Sequence, residues 1–258
     1  MSMNNWSISK DQVYHTCEVK FYFTYVLNAR KNSKNEFLKE VAFLKKLKNI
    51  AAWKGDVFHD IAADFFRKSN LSDLSTQRQN SHKKAQDVLV KQWEDSFRKK
   101  YCTNRGIINE DGVMLFEHEY GIISDYNMIY DIVNEVKGWI DAFYNWVEKS
   151  DISENFKHAK SVWIEPPVFG YDAPSYIIDN IQIITKVDLA MLTIDNRFII
   201  YDWKTGKKQQ RYFDFEPAEF QVHVYQLWPY YKMNIPLHLI EAIVVYFAEM
   251  HISAASGH

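Results

Sequence analysis

Glycine and proline are scarce in this chain of 258 residues, eight and six in all, and cysteine is scarcer still at two. So little turn-forming sequence excludes a low-complexity or collagen-like organisation, and no composition shift marks an internal linker. Cys17 and Cys102 lie far apart. They supply no disulfide framework and fit a reducing compartment. Neither sign of charge prevails, with 31 Lys and Arg against 33 Asp and Glu and a formal net charge of -2, so any polyanion must be met by a local patch. The apolar run Leu239 to Phe247 is short and broken by Glu241, and no signal-peptide pattern opens the chain, which leads us to expect a cytoplasmic protein without a membrane partner. There is no GxxxxGK[ST] loop, hence no expected nucleotide cofactor. Nine histidines are present without Cys-x-x-Cys or paired-His spacing, which speaks against a zinc module.

What is present is apolar and aromatic: 47% hydrophobic and 16% aromatic residues, enough for a sizeable core in one domain over residues 1–258. Two helical patterns stand out, Ala85, Val88, Leu89, Trp93, Phe97 and Ile129, Ile132, Val133, Val136, Ile140, Phe143, Val147. Polar stretches at Leu71 to His82 and Asn104 to Asn127 separate helices, the second reading as an arm. From Val162 onward the pattern is that of strands: Val162–Ile164, Tyr176–Ile184, Lys186–Thr193, Phe198–Trp203 and Ile240–Phe247. Pro229 is expected to kink or end the helix that follows the fourth of these. The fold class is therefore α/β, a mainly helical part (residues 1–160) followed by a mixed sheet core (161–250) with helices packed on it.

The chemistry concentrates in TKVDLAMLTIDNRFIIYDWKTG, Thr185 to Gly206. Asp188 and Asp202 are hard oxygen ligands suited to Mg²⁺ or Mn²⁺, and Lys204 is a cation that could orient a water beside them. Residues two apart in a strand share a face, so Asp202 and Lys204 point one way and Tyr201 and Trp203 the other. If Thr193 pairs with Arg197 across the loop Ile194-Asp195-Asn196, Asp188 falls opposite Asp202. A loop shortened to Asp195-Asn196 would turn Asp188 to the opposite face. The longer loop ends in Asn, which tolerates the left-handed conformation such loops need. Acid-x-Lys also occurs at Glu18-Lys20 and Glu135-Lys137, both in helix-like sequence. Only the third follows a strand and precedes a turn signal, Thr205-Gly206.

The ordered set His59, Asp188, Asp202-Trp203-Lys204-Thr205-Gly206 and Gln221-x-x-x-Tyr225, behind an N-terminal Ser7, Ser9, Tyr14, Cys17 segment, resembles the RecB-type branch of the PD-(D/E)XK nuclease superfamily, which includes CRISPR adaptation nucleases. The resemblance implies a restriction-endonuclease-like sheet core. It also implies metal held by His59, Asp188, Asp202 and the Trp203 position, catalysis by Asp188, Asp202 and Lys204, and substrate contact or lysine bracing by Gln221 and Tyr225. Departures are Cys17-Glu18 in place of Cys-Pro and Thr185 to Val187 without the glycine that relatives carry before the aspartate. Some relatives hold an iron–sulfur cluster on four cysteines, and with two cysteines none is expected here.

His59 sits at the border of an amphipathic helix with Phe58, Ile61, Ala62 and Phe65 on its apolar face. Glu165 reads as an exposed acid at the end of a strand, the alternative being a carboxylate that supports the metal site from behind. Two basic clusters could track phosphates: Arg30, Lys31, Lys34, Lys39, Lys45, Lys46, Lys48, Lys54, and, beside the acidic motif, Lys204, Lys207, Lys208 and Arg211. The function expected is metal-dependent hydrolysis of DNA, single- or double-stranded, with the resemblance pointing to an exonuclease of repair, recombination, phage replication or defence. Any unwinding would come from a helicase or other protein in trans. The alternative is a binding or scaffold protein on the same fold that has lost catalysis.

Overall fold

The computed structural model describes residues 4–27, 33–68, 73–101, 112–170, 173–208, 217–249 and 251–256. Two compact units are formed, one from Met1–Ile8, His59–Arg78 and Gly138–His258, the other from Ser9–Phe58 and Gln79–Lys137. In chain order the elements are β1 (Asn4–Trp6), α1 (Ile8–Thr16), α2 (Glu18–Phe21), a π-helical turn (Tyr22–Val26), α3 (Glu36–Leu44), α4 (Ile50–Arg67), α5 (Leu74–Phe97), α6 (Phe116–Glu119), α7 (Met128–Lys149), α8 (Ile152–Lys157), β2 (Ala159–Ile164), β3 (Ser175–Ile178), β4 (Ile181–Ile184), β5 (Leu189–Thr193), β6 (Phe198–Lys204), α9 (Pro217–Met233), a 3₁₀ turn (Leu237–Leu239), β7 (Ile240–Tyr246) and β8 (His251–Ser256). The fold is α/β with mixed sheets, as the sequence pattern implied. Among the described residues no helix is long and apolar enough to cross a membrane.

The first unit is built on a five-stranded sheet of order β2-β5-β6-β7-β8, in which β6 and β7 run parallel and the other neighbours antiparallel. Because β6 is flanked on both sides, its residues Phe198 to Trp203 are all buried, and the two faces pack against different partners. Phe198 and Ile200 join Ala190, Ala242, Val244, Val222 and Trp228 in a cluster that carries α9. The opposite face presents Tyr201 and Trp203 to an aromatic layer: Trp203 stacks on Phe66 at an interplanar angle of 9°, and Trp146, Phe143 and Phe247 close around it. Burying each such ring stabilises the unit by about 1.5–3 kcal/mol, so both faces of β6 are strongly fixed.

The β5–β6 register is the one with the longer loop. Ala190 pairs with Ile200 and Leu189 with Tyr201, and Thr193 N–H donates to the Arg197 carbonyl. Asn196 carries the expected positive φ, 65°. The expected continuous strand Tyr176–Ile184 is instead a hairpin, β3 and β4, because Asp179 and Asn180 both adopt positive φ, 48° and 64°, and reverse the chain. Strands β3 and β4 form a second sheet with β1, which pairs parallel with β4. Helix α9 does not end at Pro229 but continues to Met233.

The second unit packs its helices around a Trp53–Trp93 stack and the buried His118, whose Nδ1 lies 3.0 Å from Ser96 Oγ. Helix α5 starts earlier than its apolar period suggests, capped by the Asp73 carboxylate on the Thr76 N–H. Residues 112–127 are tied down within this unit: Leu115 bridges to Lys48 and donates its N–H to Ser96 Oγ. The rest of the expected arm, 104–111, lies outside the described residues, as do Arg30, Lys31, Cys102 and Arg211.

Asn196 provides a direct check on the register. Its left-handed backbone suits Asn or Gly, whereas a β-branched residue there costs about 1–2 kcal/mol, so Asn196→Val should lower the melting temperature by several degrees while Asn196→Gly leaves it within a degree or two. Scanning calorimetry of the two variants decides this.

Candidate active site

The site grows from the end of the β5–β6 ladder. Ala190 and Ile200 share the α9-facing cluster, so stepping two residues outward along each strand puts Asp188 and Asp202 on that same face. Both are buried, 5% and 2% exposed. Asp188 lies just before β5, where its carbonyl accepts the Glu165 N–H at 2.8 Å and its Oδ2 accepts the Trp203 N–H at 2.6 Å. Trp203 therefore serves the site through its main chain, while its indole belongs to the aromatic layer behind.

On β6 the next residue of the same face is Lys204. Its ammonium stands 2.7 Å from Asp202 Oδ2 and donates to Gln221 Oε1 at 3.0 Å. Gln221 projects from α9, and its Nε2 returns to Asp202 Oδ1 at 3.1 Å and to the Tyr225 hydroxyl one helical turn on. The four side chains thus form a closed network in which Gln221 fixes both the carboxylate and the ammonium. Lys208 sits nearby but is paired, its ammonium on Glu219 at 3.0 Å and its N–H on Glu249. Lys207 is exposed.

His59 arrives from α4 with Nδ1 3.1 Å from Asp188 Oδ1 and 3.7 Å from Glu165 Oε1. Glu165 is thus not the exposed strand-end acid of the sequence reading. Its side chain is 27% exposed, and its positive φ of 40° marks the bend that follows β2. The only signal in the sequence was an acid at the end of an apolar run, which is too common to single out.

The electrostatics follow from this crowding. Burial raises the Asp202 carboxyl most, the Asp188 charge adds to it, and Lys204 and His59 oppose, leaving a net rise to about 6. Glu165 is also raised, by burial and then by Asp188. Burial lowers His59, but Asp188, Asp202 and Glu165 together outweigh it and the net shift is upward. Burial and the Asp202 charge push the Tyr225 hydroxyl well up, so it stays neutral.

These residues fit a divalent cation. Asp202 Oδ2 is buried with no hydrogen-bond donor aligned on it among the described residues, only the ion-paired Lys204. His59, Glu165 and Asp188 each offer a ligand atom, all within 4.8 Å of one another. Carboxylate oxygens with one imidazole suit Mg²⁺ or Mn²⁺ better than the soft metals.

A buried pair of acids on neighbouring strands, followed by a lysine two residues on, carries a family with it. The PD-(D/E)XK nuclease superfamily model matches residues 5–229. The chain belongs to that superfamily. No curated protein matches the chain at a significant level. Membership brings metal-dependent nuclease chemistry, a hydrolase acting on nucleic acid.

The crowding of like charges has a measurable consequence in metal-free protein. A carboxyl whose folded pKa is raised stabilises the fold fully below its unfolded value, about 4, and that contribution is lost as pH rises through about 6. Thermal stability without metal should therefore fall between pH 4 and 7, and Asp202→Asn should flatten that dependence and raise the melting temperature at pH 8. Addition of Mn²⁺ should raise the wild-type melting temperature far more than that of Asp202→Asn. A wild-type melting temperature flat over this pH range, or an equal metal response in both proteins, would contradict the assignment.

Proposed function

We propose that the chain hydrolyses DNA phosphodiesters with Mg²⁺ or Mn²⁺, acting from or near a free end as the RecB-type branch does. The observation that carries this reading is the closed Asp202, Lys204, Gln221, Tyr225 network beside Asp188, His59 and Glu165. Asp188, Asp202, Glu165 and His59 would hold the cation. When bound, it polarises the phosphate and lowers the pKa of water.

Lys204 is the residue that faces the reacting centre with a proton-rich head. Asp202 and Gln221 hold the ammonium from two sides, so it needs no reorganisation to orient a water or to meet negative charge as the phosphorane develops. Gln221 is a positioning residue because it touches both Asp202 and Lys204, and Tyr225 acts through Gln221, whose amide N–H its hydroxyl accepts. His59, with Nδ1 protonated, donates to Asp188 Oδ1 and so sets the direction of that carboxylate's remaining lone pairs. The supply of strands by a helicase in trans and a cytoplasmic setting accompany the same reading. Lys207, and Arg211 beyond the described residues, complete the phosphate contacts in this proposal, while Lys208 contributes less because Glu219 already neutralises it.

Lys204→Ala should reduce cleavage of end-labelled DNA by at least a thousandfold while retaining most DNA binding. Loss of one cation removes only one of several phosphate contacts. Glu165→Gln should weaken Mn²⁺ binding about 10- to 100-fold, read by titration calorimetry, without loss of folding. If wild-type protein with either ion binds single-stranded, duplex and closed circular DNA but cuts none of them, the non-catalytic reading replaces this one.

A further inference from the structure

Ten residues beyond Gln221, α9 carries Tyr231, whose ring stacks on that of Tyr176 with centroids 5.4 Å apart and an interplanar angle of 11°. Tyr176 is 5% exposed and anchored, its hydroxyl donating to the Val224 carbonyl, whereas Tyr231 is 49% exposed. Tyr231 lines an open cavity of about 400 Å³ together with Tyr176 and Ile177, and Ser175, Gln182 and Lys232 contribute its polar lining. Gln182 Nε2 donates to Ser175 Oγ, so an amide and a hydroxyl are already oriented toward one another at the rim. The Lys232 ammonium is placed by a 2.7 Å hydrogen bond to the Ala173 carbonyl.

We propose that this cavity is a subsite for one unpaired nucleobase of a single-stranded DNA substrate, stacked on Tyr231 and read at its edge by Gln182. Three features point to a base. The cavity falls in the size range of small-molecule sites. Its aromatic wall is held rigid by the ring beneath it, so stacking costs little ordering entropy. Its Gln182 amide is neutral and carries both a donor and an acceptor, as recognition of a base edge requires. The Lys232 charge suits the adjoining phosphate.

The place in the fold gives the register. At a helical rise of about 1.5 Å per residue, Tyr231 lies about 15 Å along α9 from Gln221. About four nucleotides cover that length at the stacked spacing of about 3.4 Å, and fewer do so in an extended strand. Duplex DNA keeps its bases inside and cannot use the cavity. The inference rests on the nuclease reading of the Asp202 and Lys204 site, and it adds a preference for unpaired DNA that the site alone does not give.

The test is binding of labelled dT12 and of a blunt 12-base-pair duplex to the full chain in EDTA, alongside Mn²⁺-dependent cleavage by the wild type. Tyr231→Ala should weaken dT12 binding about tenfold and Tyr231→Trp should preserve it, with duplex binding unchanged in both. Tyr231→Leu, which keeps the packing on Tyr176 but not the π face, should behave like Tyr231→Ala and guards against a folding defect. A single 2-aminopurine moved along the dT12 sequence should be quenched at one position in the wild type and at none in Tyr231→Leu. Wild-type cleavage with equal dT12 affinity in all four proteins overturns the subsite and leaves the nuclease reading standing. Wild-type protein that neither binds nor cuts dT12 overturns the subsite, and the absence of cleavage on every other DNA form overturns the nuclease reading as well.

Discussion

Two carboxylates that repel one another, each almost wholly buried, are the constraint on which the rest of the first unit depends. Asp188 and Asp202 would both lower their energy by moving into water, and burial of an ionised carboxylate costs several kcal/mol in real proteins. What prevents their escape is the strand to which Asp202 belongs. β6 is paired on both edges, parallel with β7 and antiparallel with β5, and packed on both faces by α9 and by the Trp203 layer. A displacement of Asp202 would have to move Ile200 and Trp203 with it. The hydrophobic core thus supplies the energy that holds an unfavourable polar arrangement in place, the usual relation between a stable scaffold and a strained site.

The same constraint explains the neighbours. A buried acid needs donors, and Asp202 has the Lys204 ammonium on one oxygen and the Gln221 amide on the other, while Asp188 takes the Trp203 N–H and the His59 ring. Gln221 is the economical choice on α9 because an amide can accept from the lysine and donate to the aspartate at once, which neither a carboxylate nor an ammonium could do. Even so the charges do not balance. Asp188, Asp202 and Glu165 face Lys204 and His59, and among the described residues Asp202 Oδ2 has only the ion-paired Lys204 ammonium beside it. A bound divalent ion would remove that imbalance, and without one the cluster is a local cost to stability.

How much of this was legible beforehand depended on whether the signal was local. The β5–β6 register could be read from parity and one Asn because a strand has a fixed period and a hairpin loop has few solutions. Gln221 and Tyr225 share a face because they are four residues apart on α9. Glu165 was not legible: it reaches His59 across more than a hundred residues of sequence, and an acid at the end of a strand is ordinarily solvated. The β3–β4 hairpin was missed for a different reason, since its Asp179-Asn180 turn is flanked by enough isoleucine to pass for one long strand. The start of α5 was hidden because its first turns are polar on every side and carry no apolar period. Pro229 misled because α9 packs Trp228 and Tyr225 so deeply that the loss of one helical hydrogen bond does not end it.

The basic residues show why charge counted along a sequence overstates charge available to a ligand. In the second unit Lys39 is paired with Glu36, Lys48 with Asp56 and Lys54 with Glu135, so three of the eight cations of the first cluster are already neutralised within that unit. Lys208 is likewise committed to Glu219. The exposed pairs Lys39–Glu36 and Lys48–Asp56 contribute little to stability, about 0–1 kcal/mol each, yet every such pair subtracts a cation from any phosphate-tracking surface. With a net charge of -2 and its lysines so engaged, the protein has little long-range attraction for DNA. On the proposed function, affinity would come from short-range contacts at the Asp202 and Lys204 site and at Tyr231 of α9 and Gln182 of β4. Binding of that origin would be less sensitive to salt than binding through a basic groove, because few counterions are released.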